Sequence, residues 1–310
     1  MKICSFIPAV TQMIYDLGLE SDLYGVTFEC PAIALHEKKK VVRCVLEDKE
    51  YSSREIDRIF SQSKAEGRSL YYVDQAVLSD IAPDVIFTQD ICEVCQIDTE
   101  CTAAAVSKLD KEVKLVTISP DSLEDVFASV LTIAKEFNRI DLAHSHLAQL
   151  QLRLDKIIDQ QRRYQIRPRR VSLLEWVDPI YNCGHWIPDQ IALAGGIDML
   201  SNPSGDSVVT SWDKIVKYDP EVLVIAPCGF STERSLVEIE IMTSKAEWMS
   251  LKAVANQEVY IADFDLFTQP SASTLVDGIE LLSTVFNPTY FNLDTRLKPK
   301  LKSLKELQLI

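Results

Sequence analysis

No apolar run in this 310-residue chain approaches the roughly 18 residues that a membrane-spanning helix requires. Positive charge is also short: 32 Lys and Arg stand against 46 Asp and Glu, giving a formal net charge of −14 and a pI near 4.8. A nucleic-acid partner needs a basic face to displace counterions, so that class of function is set aside. The arginines between Arg162 and Arg170 and the lysines from Lys298 to Lys305 are local exceptions, read as solvated linker and helix-end charge. Glycine is scarce, with nine residues, and there is no Walker loop, no HExxH and no Ser-His-Asp set at suggestive spacing. Of the four histidines, only His185 falls in a loop where chemistry is expected.

What is present is the composition of a soluble globular protein, 47% hydrophobic and 25% charged, long enough for two domains or one large one. The opening MKICSFIPAV reads as a strand entering a helix, without a long apolar region or a small-residue cleavage site. Taken as the native start, it places the protein in the cytoplasm; removal of a leader would place it in the periplasm or outside the cell. Eight cysteines in a chain this long do not suggest a small disulfide scaffold. The close pair Cys92 and Cys95 reads more naturally as a thiol, metal or redox pair.

The stretch RVSLLEWVDPIYNCGHWIPDQIALAGG, residues 170–196, reads as a buried strand, a loop rich in aromatics, and a helix started at Pro188 and stopped at Gly195-Gly196. Loops leaving the carboxyl end of a strand are where α/β folds place ligands. The segments PDVIFTQDICEVC (83–95) and PEVLVIAPCGFS (220–231) share one wiring: a proline-started apolar strand, then a loop containing cysteine. SFIPAVTQMIYDLGL has the same strand, proline-bearing loop and helix as the 170–196 stretch. Repeated wiring predicts two α/β lobes, residues 1–118 and 169–310, the second with a basic tail. Connecting helices fill 119–168. A helix of about 18 residues from Ser119-Pro120 spans roughly 27 Å and serves as a stiff connector; a second runs from about Asp141 to Arg163. In the tail, Leu301, Leu304 and Leu307 suggest an amphipathic face packed on a lobe.

SFIPAVTQMIYDLGLESDLYGVTFEC, TQDICEVC and EWVDPIYNCGHWIPDQIALAGGIDML together resemble the cobalamin-binding branch of the periplasmic substrate-binding proteins of ABC transporters, relatives of the iron-siderophore binders. The likeness covers about residues 1–287. It implies the class III substrate-binding fold, two Rossmann-like lobes joined by a long backbone helix, with a corrinoid such as cobalamin clamped between the lobes. It implies a ligand-binding protein rather than an enzyme, with an ABC transporter permease as partner if the protein is exported. Gln12 stands where relatives usually carry Glu, and Phe28 where they often carry His.

A broad, flat macrocycle suits aromatic contacts, and Trp176, Tyr181, Trp186, Trp212 and Phe230 are the candidates, with Tyr51 a further one. Core packing is the alternative for Trp176 and Trp212. Polar contacts would come from Thr11, Gln12, Asp90, Asp178, Asn182 and Ser231, and His185 has two readings, reaching a ligand metal or hydrogen-bonding its own loop. Asp90 and Asp178 serve equally as loop caps. Cys92, Cys95 and Cys183, with Cys30 and Cys101 near them, admit two readings: reduced, partly buried thiols, or ligands to zinc or an iron–sulfur cluster. Capture of another metal chelate or of a metal through the cysteines is one rival function. An enzyme acting on a corrinoid or metal cofactor, with Cys92 or Cys95 as its redox or nucleophilic group, is the other.

Overall fold

Short apolar runs separated by helical segments fold here as parallel strands flanked by helices. The computed structural model describes residues 1–89 and 99–310, which divide into two units. The first comprises Met1–Tyr51, Glu55–Pro120 and Glu124–Leu147, and the second Ser52–Arg54, Asp121–Leu123 and Ala148–Ile310.

The chain opens with β1 (Ile3–Ser5), α1 (Pro8–Asp16), β2 (Leu23–Thr27), α2 (Ala32–Glu37), β3 (Lys39–Cys44), α3 (Ser53–Ala65), β4 (Tyr71–Val73), α4 (Gln75–Ile81), β5 (Val85–Thr88), α5 (Thr99–Val106) and β6 (Lys114–Thr117). Its six strands form one sheet in the order β4-β3-β2-β1-β5-β6, parallel except for the β3–β4 pair. Residues of β1 and β5 are all buried, as strands covered on both faces must be. Cys4 and Cys44 belong to this core beside Phe6, Ile86 and Tyr71, where a neutral thiol packs as a small apolar group.

Then come α6 (Leu123–Glu136) and α7 (Ile140–Tyr164). The former begins three residues after the expected Pro120. The backbone N–H of Leu123 donates to the Asp189 carboxylate at 3.2 Å, so a residue far along the chain marks that helix start. The longer of the two is α7, 25 residues and about 37 Å, and the chain passes from the first unit to the second within it.

The remaining elements are β7 (Arg169–Val177), β8 (Ile180–Asn182), β9 (Gly184–His185), α8 (Ile187–Leu193), β10 (Gly196–Ile197), β11 (Asn202–Pro203), α9 (Trp212–Tyr218), β12 (Val222–Ile225), α10 (Thr232–Val237), α11 (Ile239–Thr243), α12 (Lys252–Ala255), β13 (Val259–Ala262), α13 (Ala272–Phe286) and β14 (Leu301–Ser303). The main sheet runs β10-β7-β12-β13-β14, with β8 folded back antiparallel on β7. Strand order changes direction between β1 and β5 in the first sheet and between β7 and β12 in the second. Ligands of open α/β sheets bind outside the carboxyl ends of strands at such points.

Close packing of α13 depends on Gly278. A Cβ there would lie 2.5 Å from the Leu266 carbonyl oxygen and 2.7 Å from Gln190 Nε2. Arg153 of α7 pairs through Nε and Nη2 with Glu280 at 2.8 and 2.7 Å and also with Asp277, which takes Arg296 as well. The tail is not a helix at Leu301–Leu307: β14 adds antiparallel to β13, and Leu304 is fully buried in the core of the second unit. Leu304→Ala should therefore destabilise the protein by about 2–4 kcal/mol, measured as a lower urea midpoint at unchanged slope.

Candidate functional site

At the carboxyl edge of the second sheet, β7 and β8 form a hairpin in which Trp176 is the register partner of Tyr181, so the two side chains share one face. The loop after β12 leaves from the same edge, and its Cys228 N–H donates to the Glu175 carbonyl at 2.9 Å. That bond brings Phe230 to Trp176, with ring centroids 5.0 Å apart and planes tilted by 53°. The Arg234 guanidinium lies 4.4 Å over the other partner, the Phe230 ring, and so caps it with a cation–π contact. Three of the expected aromatic residues, Trp176, Tyr181 and Phe230, thus meet at one edge.

Two carboxylates border this cluster. Glu238 accepts the Ser53 backbone N–H with both oxygens at 3.0 Å and pairs with Arg234 one turn earlier. Asp178 accepts a two-pronged bond from Arg54 at 2.8 and 3.0 Å, and the Trp176 indole N–H donates to the Ser53 carbonyl at 3.3 Å. Sequence reasoning did not connect Arg54 to the aromatic loop and read Glu238 only as a possible acid for docking to a transporter. No local signal could have joined them to the site, because the Ser53–Glu238 pair is separated by 185 positions and the Arg54–Asp178 pair by 124.

Other expected residues are placed differently. Trp186 is only 6% exposed, and its indole N–H donates to the Phe267 carbonyl at 2.6 Å. Its ring is packed into the second unit, not laid out as ligand surface as the sequence suggested. Trp212 stands edge-on to the buried Trp248, against the same unit's core. His185 adopts a left-handed backbone, φ 51°, and its ring stacks on Trp186 at 5.4 Å. Gly184 before it has no room for a side chain, since a Cβ would lie 2.4 Å from the Gly205 carbonyl oxygen. Asn182 holds the loop internally, accepting from the Val208 N–H at 2.7 Å and donating to the Leu200 carbonyl. Ser231 caps α10 by accepting from the Arg234 N–H at 3.2 Å.

Cys183 is fully buried, and burial followed by the charges of Asp198 and Glu175 pushes its thiol well above the ordinary range. A thiol kept neutral is a poor metal ligand or nucleophile. Among the described residues no group of three or more His, Cys, Asp or Glu is arranged to hold a metal ion. Asp90, Cys92 and Cys95 lie outside the described residues.

At the edge of the first sheet, Thr11 is buried and accepts from the Cys30 thiol at 3.2 Å. The Gln12 amide donates to Asp16 one turn on at 2.7 Å. Burial pushes Cys30 up to about 11, which keeps it protonated. Beside it Glu29 is pushed up to about 7, by burial first and then by Glu47.

Residues 74–266, more than half of the chain, match the family described as periplasmic binding protein. The chain belongs to that family. No curated protein matches it. Solved structures of similar fold include a periplasmic heme binding protein from Pseudomonas aeruginosa, 17% identical over 96% of each chain with a TM-score of 0.70. The periplasmic vitamin B12 binding protein BtuF of Vibrio cholerae is 17% identical over 93% of this chain and 96% of that one, TM-score 0.61. An ABC transporter substrate-binding protein from Listeria monocytogenes is 16% identical over 93% and 98%, TM-score 0.66. At these identities the structures establish a shared fold: this periplasmic binding protein has the class III architecture of two α/β lobes and a long helix. Its family is one of ligand binders, and among the described residues no helix is long and apolar enough to cross a membrane.

The raised pKa of Glu29 has a consequence for stability. A carboxyl whose pKa rises on folding favours the fold at low pH, and that contribution is lost as pH climbs from the unfolded value near 4.3 through about 7. Glu29→Gln should therefore gain about 1–3 kcal/mol over the parent at pH 8 relative to the difference at pH 4. Part of the side chain still meets water, which holds the gain below the full linkage value. Urea unfolding of both proteins at the two pH values checks it.

Proposed function

We propose that the protein is a soluble binding protein that holds a corrinoid such as cobalamin, with the carboxyl edge beside β7 and β12 as its main contact. The observation that carries this reading is the cluster of Trp176, Tyr181 and Phe230 at the topological switch point of a periplasmic binding protein. Large rings with few rotatable bonds match a flat ligand at small entropy cost. The acceptors Asp178 and Glu238 suit the amide N–H groups on a corrinoid's rim. Vitamin B12 and heme binders among proteins of this fold support the chemical class, a flat macrocycle that chelates a metal.

The ligand is carried and not transformed, so no catalytic residue is assigned. The family's periplasmic description supports export and delivery to an ABC transporter permease, over the cytoplasmic location suggested by the first residues. Another metal chelate is the second reading. One feature favours it: Cys228 is partly exposed in the loop that carries Phe230, where a soft donor can meet a chelated metal.

Cobalamin mixed with the purified protein at micromolar concentration should co-elute in gel filtration and be recovered chemically unchanged. Co-elution of hemin or a ferric siderophore without cobalamin would transfer the assignment to the second reading. Trp176→Ala should weaken cobalamin binding by about 1–3 kcal/mol, measured by titration. Trp186→Phe should instead lower the urea midpoint and leave affinity within about two-fold, since that indole N–H holds the Phe267 carbonyl.

A further inference from the structure

The edge that would receive the ligand already has an occupant from the chain itself. Residues Ser52–Arg54 are grouped with the second unit, and they engage each polar group that borders the aromatic cluster. The Ser53 N–H goes to Glu238, the Ser53 carbonyl takes the Trp176 indole N–H, and the Arg54 guanidinium goes to Asp178. Ser53 is fully buried and Phe230 only 5% exposed, beneath Trp176 and the Arg234 guanidinium. A ligand cannot reach Glu238, Asp178 or the Trp176 indole N–H while Ser52–Arg54 stays in place.

Only part of this arrangement is costly to undo. Arg54 has 74% of its side-chain surface in water, so its ion pair is worth little. Ser53 Oγ is buried with no hydrogen-bond partner among the described residues, a penalty that is relieved when the segment leaves. The seat is therefore held mainly by the bond from the Ser53 N–H to Glu238.

We propose that Ser52–Arg54, the entry to the first turn of α3, is an intramolecular strap on the second unit and must leave before a macrocycle can reach Glu238, Asp178 and the Trp176 indole N–H. The inference rests on the corrinoid reading above. The segment acts as a tethered competitor: it presents an N–H, a carbonyl and a cation to the groups that would otherwise meet the amide-bearing rim of the ligand. Apparent affinity is then the intrinsic affinity reduced by the fraction of molecules with the strap released.

Hydrogen exchange of residues 52–56, followed by mass spectrometry, and gel filtration with cobalamin test the strap on wild type and Arg54→Ala. Cobalamin should co-elute with wild type and raise exchange at 52–56, and Arg54→Ala should bind it about two- to five-fold more tightly. Retention by Arg54→Ala alone would support the strap further. Co-elution with exchange at 52–56 unchanged or slowed would overturn the strap and leave the corrinoid reading standing, because the segment would then be a fixed wall of the site. Weaker binding by Arg54→Ala has the same meaning. Retention by neither protein overturns both proposals.

Discussion

The second unit depends on the burial of β7. Ser172, Leu173 and Leu174 are buried; β12 pairs with Val171–Leu174 on one side, and on the other β10 meets only Arg169 and Arg170. Beyond β10 the Leu173 N–H finds the Asp198 carboxylate instead, so the buried backbone is paired and the strand leaves the sheet at its ends. Trp176 emerges at the carboxyl end, and the loop after β12 emerges beside it because the two strands are parallel. The aromatic cluster is a consequence of that pairing, as is the position of Asp178.

Polar groups around β7 divide into those that hold the loop from Asn182 to Val208 and those that border the aromatic cluster. Asp198 accepts from the Leu173 and Leu200 N–H groups, Glu175 accepts from the Gly184 N–H, and Asn182 bridges Leu200 and Val208. These bonds fix the loop from Asn182 to Val208, leaving its side chains little freedom to serve anything else. Thiols follow the same division. Cys4, Cys30, Cys44 and Cys183 are buried and held neutral, which gives them the character of apolar packing groups. The carboxyl edge beside β7 and β12 is by contrast aromatic, with acceptors at its border.

Much of the fold was legible because it rests on local patterns. Val222–Ile225 and Val259–Ala262 are apolar runs of strand length, Ser211 and Ser271 cap helices as serines before apolar periodic stretches do, and Gly195 follows α8 with a positive φ. The tail misled because Leu301, Leu304 and Leu307 have the spacing of a helix face; the free edge of β13 took the segment as a strand instead. Trp186 misled for a related reason. Its neighbours in sequence mark a ligand loop, while the partner of its indole N–H, Phe267, lies 81 positions away.

The sequence by itself determined most of the core strands and helices and the family, since each is carried by residues close together in the chain. Only the tertiary structure decided which aromatic rings share an edge and which acids border them. The physical reason is that a parallel sheet collects the ends of strands distant in sequence, so the meeting of Trp176 and Phe230 is set by strand order, and Ser53 and Glu238 join them from helix ends; none of this leaves a mark in local composition.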